Sequence, residues 1–298
     1  MATYITHTKG LAGSPTLQKQ EYLVTAARRQ EILPLSLYYY PVDADSSGEL
    51  SARQDGILSG VSFGDDVIVQ LPTMLGRKYE QSLLDKIVSF RGKLIIAISS
   101  LAATTATAAL AADIQLYNRA DVLIVPSVEA GTFLREHGLR VARLVYLNVW
   151  DQSCDLSLAR PLFKRQLATT DPALAKQLAG QWVQPSATTA YDLHAAGGFA
   201  LLWPAAEYDS GIVTGQVLAS GLPILINRSS YLARIVERTG MGVAFADLAA
   251  VSAYVDQCAK ADYQALAANA GRFSAFLREG GFTSHAISQA VAFANQLK

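Results

Sequence analysis

Cysteine is nearly missing from this chain: Cys154 and Cys258 are the only two in 298 residues. That scarcity excludes a disulfide framework and fits a reducing compartment. Histidine is almost as rare, and His7, His137, His194 and His285 fall at spacings that make no metal-ligand cluster. Net charge is absent as well, with 25 basic residues against 25 acidic. The bulk electrostatics of a nucleic-acid binder are therefore not there. No apolar run reaches the roughly 18–20 residues that span a bilayer. The nearest, LIIAISSLAATTATAALAA, is broken throughout by Ser and Thr. The opening MATYITHTKG lacks the apolar centre of a secretory leader. The expectation is a soluble, cytoplasmic protein with no membrane span, no metal and no nucleic-acid partner.

What is present is apolar and periodic. Hydrophobic residues make up 51% of the chain, enough to bury more than one core. DDVIVQLP, KLIIAIS, DVLIVPS and RLVYLNV are short aliphatic runs bounded by turn residues, the mark of parallel strands buried on both faces. Helical stretches separate them. Ser14 and Pro15 suit a helix cap and first position, while EQSLLDKIVSFRG and SVEAGTFLREHG each stop on glycine. This alternation predicts a doubly wound α/β domain over residues 1–149. After WDQSCDLSLARP the chain reads as a second, shortened α/β domain over 150–282. GGFALLWP and GLPILIN are its strands, with GIVTGQVLAS the helix between them. TSHAISQAVAFANQLK, from residue 283 to 298, reads as an amphipathic terminal helix returning to the first domain. Two such domains are expected to place a ligand cleft at the carboxyl ends of their strands.

Several segments occur in a specific order: ELSARQDGILSGVSFGDDVIVQLPT, IQLYNRADVLIVPS, FLREHGLR followed by NVWD, GGFALLW, ASGLPILI and LREGGFTSHAISQAV. In that order they resemble the bacterial glycosyltransferases that extend sugars on serine-rich-repeat adhesins, together with related galactofuranosyltransferase-like proteins of lactic acid bacteria. The resemblance covers nearly the whole chain. It implies a GT-B fold of two Rossmann-like domains, with the first handling the acceptor and the second the donor. It also implies a nucleotide-sugar substrate such as UDP-glucose, no metal or other cofactor, a glycan acceptor and a homo-oligomer.

Metal-free glycosyl transfer needs backbone or cationic groups for the leaving diphosphate and polar handles for ribose and acceptor. The turn THTKGLAGSP offers Gly10 and Gly13, whose backbone amides can approach an anion closely, with Lys9 adding a charge. An ordinary turn capped by Ser14 is the alternative. In the resembled family this loop borders acceptor and phosphates, which puts Thr8 on the acceptor side. Ser99 and Ser100 end the strand where that family carries His-Asp, and two serines supply no base near neutral pH. Ser210, Val213 and Gln216 fall where Asn, Lys and a ribose-binding Glu are expected on the donor helix. Tyr208, Ser210 and Gln216 remain as donor contacts. QLATTDPALAKQL looks like the remnant of a phosphate-facing loop, leaving Lys164 and Arg165 as nearby cations. No catalytic residue is assigned. Two functions stay open: an active hexosyltransferase, or a non-catalytic member serving as partner subunit of an active paralogue or as a glycan-binding module.

Overall fold

The computed structural model describes residues 1–298 apart from 12, 102–106, 153–159, 179–181, 184–188, 204–210 and 298. The chain divides into two compact units, Met1–Asn148 with Phe282–Lys298, and Val149–Gly281. The first unit runs β1 (Thr3–Lys9), α1 (Pro15–Arg28), β2 (Leu33–Tyr38), α2 (Ser47–Ile57), β3 (Asp66–Leu71), α3 (Arg77–Ser89), β4 (Leu94–Ile98), α4 (Ala108–Tyr117), β5 (Val122–Val125), α5 (Val128–Glu136) and β6 (Arg143–Tyr146). Its strands form one parallel sheet in the order β2-β1-β3-β4-β5-β6. Every residue of β3, β4 and β5 is buried. That explains why these strands read as near-continuous aliphatic runs, with Asp66 and Gln70 of β3 the polar exceptions: a strand buried on both faces needs few polar positions. Each fully buried Val, Ile or Leu contributes about 1.5–3 kcal/mol.

The two ends of this sheet differ chemically. At the amino ends, aspartates serve the amides of the strands beside them. Asp66 accepts from Lys93 N at 2.8 Å and Asp121 from Leu94 N at 2.9 Å. Asp65 accepts from Ala2 N at 2.7 Å. The carboxyl ends carry hydroxyls and amides instead (Thr8, Gln70, Thr73, Ser99), all of them buried. The helix caps follow the sequence signals in part. Ser46 and Glu49 close a reciprocal capping box on α2, and Ser127 caps α5. Ser14 stands at the cap position of α1, yet its side chain makes no capping bond.

The second unit runs β7 (Leu167–Ala168), α6 (Pro172–Gln177), β8 (Trp182–Val183), α7 (Ala190–Ala196), β9 (Phe199–Leu202), α8 (Ile212–Ala219), β10 (Ile224–Asn227), α9 (Ala233–Thr239), β11 (Gly242–Phe245), α10 (Leu248–Gln257) and α11 (Lys260–Arg278). Its parallel sheet has the order β11-β10-β9-β7-β8. The core centres on Phe199, against which Tyr263 packs edge-on with ring centroids 5.1 Å apart. The buried Tyr263 hydroxyl lies 3.0 Å from Gly198 O, so its polar tip is satisfied. Gly242 is fixed by space, since a Cβ there would lie 1.8 Å from Ile224 O.

The last helix, α12 (Gly281–Asn295), packs on the first unit. Gln30 donates to Ser284 O at 2.9 Å and accepts from the Ser288 hydroxyl at 3.0 Å. The Arg143 guanidinium stacks 5.3 Å from the Phe293 ring. The sequence reading of QLATTDPALAKQL as a remnant loop missed two elements, for this stretch forms the short strand β7 and the helix α6.

Candidate functional site

In a doubly wound sheet the chain leaves neighbouring strands in opposite directions at one point, and a crevice opens there at their carboxyl ends. In the first unit that point lies between β1 and β3, because β1 continues outward to β2 while β3 leads on to β4. The loop after β1 turns on Gly10 at φ +92° and Gly13 at φ +76°. Both angles lie in the region that disfavours side chains. Lys9, half-buried at the strand end, makes no ion pair among the described residues. The first amides of α1 receive no side-chain cap from Ser14. Lys9, Gly10 and Gly13 thus lie in the turn that leads from β1 into α1, whose first amides take no side-chain cap from Ser14.

Beneath the loop runs a buried polar network. Thr8 Oγ1 donates to Thr73 O at 2.8 Å, and Gln20 Nε2 donates to Pro72 O at 2.8 Å. Gln70 reaches back from β3, donating through Nε2 to Thr6 O at 2.6 Å. Thr73 N and its hydroxyl both donate to Glu80 Oε1, at 2.8 and 3.1 Å. Burial pushes the Glu80 carboxyl above its usual range, and the Thr73 hydrogen bonds and the Arg77 charge pull it part of the way back. On β1, His7 Nε2 meets Glu21 Oε2 at 2.7 Å. Burial drives the His7 imidazole below its usual value, against the opposing pull of Glu21.

Next to this network, at the carboxyl ends of β3 and β4, lies a cavity of about 440 Å³. Leu71 and Pro72 line it from β3 and its following turn, Arg77 and Glu80 from α3, Ser100 from the end of β4, and Asp113 from α4. Arg77 pairs with Asp113 and donates to Ala112 O at 3.0 Å. This is an inter-helix ion pair in a cavity wall, with the Arg77 side chain 35% exposed. Ser99 is fully buried, and its hydroxyl finds no partner among the described residues. Ser100 is half-buried and faces the cavity. The two serines therefore separate: one is enclosed and the other is open to a ligand.

In the second unit the corresponding point lies between β7 and β9. Lys164, half-buried, donates to Ala196 O at 2.7 Å, and its stem lies along Gly197. It closes the end of α7. Arg165 is exposed. Asp171 accepts from Ala173 N at 2.8 Å at the start of α6, so that helix end already holds a carboxylate. Gln216 is half-buried on α8, and Val213 is 47% exposed in the first turn of the same helix. Tyr208 and Ser210 lie outside the described residues. The A-S-G-L-P turn is anchored on α11. Ser274 Oγ donates to Ala219 O at 2.6 Å, and Gly221 takes φ +70°. These contacts tie the turn to the core of the second unit.

Glu80, Thr73, Asp113 and Tyr117 were missed from sequence. One signal was available: Arg77 and Glu80, like Asp113 and Tyr117, share a helix face at spacings of three and four. Their meeting across two helices is a tertiary fact. Among the described residues, no group of three His, Cys, Asp or Glu side chains is arranged to hold a metal, and no helix is long and apolar enough to cross a membrane.

Residues 2–149 match the family described as glucosyltransferase 3-like, N-terminal domain, and residues 146–290 match the corresponding C-terminal domain family. The chain belongs to the glucosyltransferase 3-like family. Among its relatives, Glucosyltransferase 3 of Streptococcus gordonii is 29% identical, with 98% of each chain covered. Glucosyltransferase 3 of Streptococcus parasanguinis is 25% identical at the same coverage. Solved structures of like fold include Anabaena HepE in complex with UDP, with a TM-score of 0.63 at 13% identity, covering 98% of this chain and 100% of that one. Sucrose-phosphate synthase of Thermosynechococcus elongatus gives a TM-score of 0.64 at 10% identity, with both chains fully covered. This glucosyltransferase 3-like chain accordingly has the GT-B architecture that its order of motifs implied.

Proposed function

We propose that this protein transfers a hexose from a nucleotide-diphosphate sugar such as UDP-glucose to a glycan or glycoprotein acceptor, without a metal. The observation that carries this reading is the end-to-end match. Both family domains occur in order, and named glucosyltransferases align over 98% of this chain and of their own. HepE, of like fold, is known in complex with UDP-glucose.

In this reading the first unit handles the acceptor and the second the donor. Lys9 and the amides at Gly10 and Gly13 serve the donor's phosphates, while Thr8, Ser99 and Ser100 border the acceptor. Ser99, being enclosed, acts through packing rather than contact. Tyr208, Ser210 and Gln216 bind the nucleotide. Lys164 holds α7 and lends long-range charge, which leaves Arg165 the more available cation. The protein works in the cytoplasm as a homo-oligomer or alongside an active paralogue.

The test is calorimetric titration with UDP and UDP-glucose, paired with mass spectrometry of an acceptor glycan after incubation with donor. Saturable nucleotide binding and a gain of one hexose are expected. Failure of both would leave the non-catalytic role, as partner subunit or glycan-binding module, in its place.

A further inference from the structure

Glycine is a costly residue inside a helix, because its backbone loses the most freedom on folding. Gly215 nonetheless sits in the middle of α8, and space is the reason. A Cβ there would lie 2.4 Å from Gln152 Nε2 and 3.0 Å from Trp150 O. Both neighbours are buried, Gln152 at 5% exposure and Trp150 at 1%. The Gln152 amide reaches past Gly215 to the first residue of α8, donating through Nε2 to Ile212 O at 3.4 Å. Its backbone N–H donates to Leu277 O, in the last turn of α11, at 3.3 Å. α11 also holds the far end of α8, where Ser274 Oγ and Arg278 Nη1 donate to Ala219 O at 2.6 and 3.0 Å. The helix is thus held at both ends from α11, directly at its close and through Gln152 at its start. Val213 and Gln216, three residues apart on α8, share a different face from Gly215. Gln152 therefore fixes the direction in which that face points.

We infer that Gln152 is a positioning residue for nucleotide binding: it sets the first turn of α8 by gripping the Ile212 carbonyl across the space that Gly215 leaves open. Gln152 itself touches no substrate and acts through the helix. The inference rests on the reading of α8 as the donor helix and adds to it the residue that orients that helix.

Two variants of the full chain attack the contact from opposite sides. Gln152→Met keeps the volume and removes the donor, while Gly215→Ala puts a methyl group where the amide lies. Hydrogen exchange of the α8 amides, read by mass spectrometry, is paired with calorimetric UDP affinity. Both variants should exchange faster at the start of α8 and keep the parent's rates in the rest of the second unit. Both should bind UDP roughly three- to tenfold more weakly, the range expected for one lost hydrogen bond. In turnover assays the donor KM should rise and the acceptor KM hold, a split that a general loss of stability would not produce. Were Gly215 clear of the contact, alanine would favour the helix and slow its exchange. Slower or unchanged exchange at the start of α8 in Gly215→Ala would overturn the inference. Parent-like UDP affinity in both variants would overturn it alone and leave the proposed function standing. A parent that binds neither UDP nor UDP-glucose would overturn the proposed function and this inference with it.

Discussion

The Thr8 hydroxyl donates to the Thr73 carbonyl at 2.8 Å, joining the ends of two strands that lie 65 residues apart in sequence. The bond sits where the sheet changes direction, and both partners are buried. It fixes the glycine loop after β1 against the turn after β3, so the two candidate ligand loops share one rigid base. Thr8→Val keeps the shape and removes the donor, leaving the Thr73 carbonyl unpaired. A loss of about 1–3 kcal/mol is expected in urea unfolding, with an unchanged slope. A loss near zero would mean that the bond contributes nothing to holding the loops.

Glu80 should make stability depend on pH. Its folded carboxyl is raised, chiefly by burial, so its contribution is fully present below the unfolded value of 4.5 and is lost as pH rises through the raised folded value. Glu80→Gln can still accept from Thr73 and carries no charge. The variant should therefore gain melting temperature relative to the parent as pH rises from 4 to 7. A difference that stays flat or shrinks over that range would contradict the assignment.

His7 acts in the opposite direction. Its imidazole is lowered by burial, so its contribution is present above the unfolded value of 6.5 and is lost as pH falls through the lowered folded value. Thermal scans of the parent should show a decline below about pH 6.5 that His7→Leu flattens. An equal decline in the variant would place the acid sensitivity elsewhere.

Much of the fold was legible because its signals are local. The aliphatic runs of β3 to β6, the glycine stops and Pro15 each state a preference that packing then confirms. β7 escaped because Leu167 and Ala168 are too short a run to show a period, and only pairing with β8 and β9 makes them a strand. At the site, Gly10 and Gly13 were readable because positive φ leaves a mark on residue type. Ser99 and Ser100 looked alike in sequence, yet one is enclosed and the other lines a cavity. The pairing of Asp113 with Arg77 gave no warning, since a charge pair between helices has no fixed spacing along the chain.

Val213 stands exposed in the first turn of α8, at the position where the motif resemblance leads us to expect a lysine. Val213→Lys should tighten UDP binding tenfold or more, since a charge-assisted hydrogen bond contributes about 1.5–3 kcal/mol. Calorimetry at low salt reads it directly. Unchanged affinity would show that the donor phosphates do not approach this helix.

The most direct test of the central claim is intact-mass analysis of a hexose-terminated acceptor incubated with this protein and UDP-glucose labelled in the sugar. The account predicts the addition of one labelled hexose, with UDP released in equal amount and only when acceptor is present. An acceptor of unchanged mass across a panel of nucleotide sugars, from a folded protein that binds none of them, would contradict it.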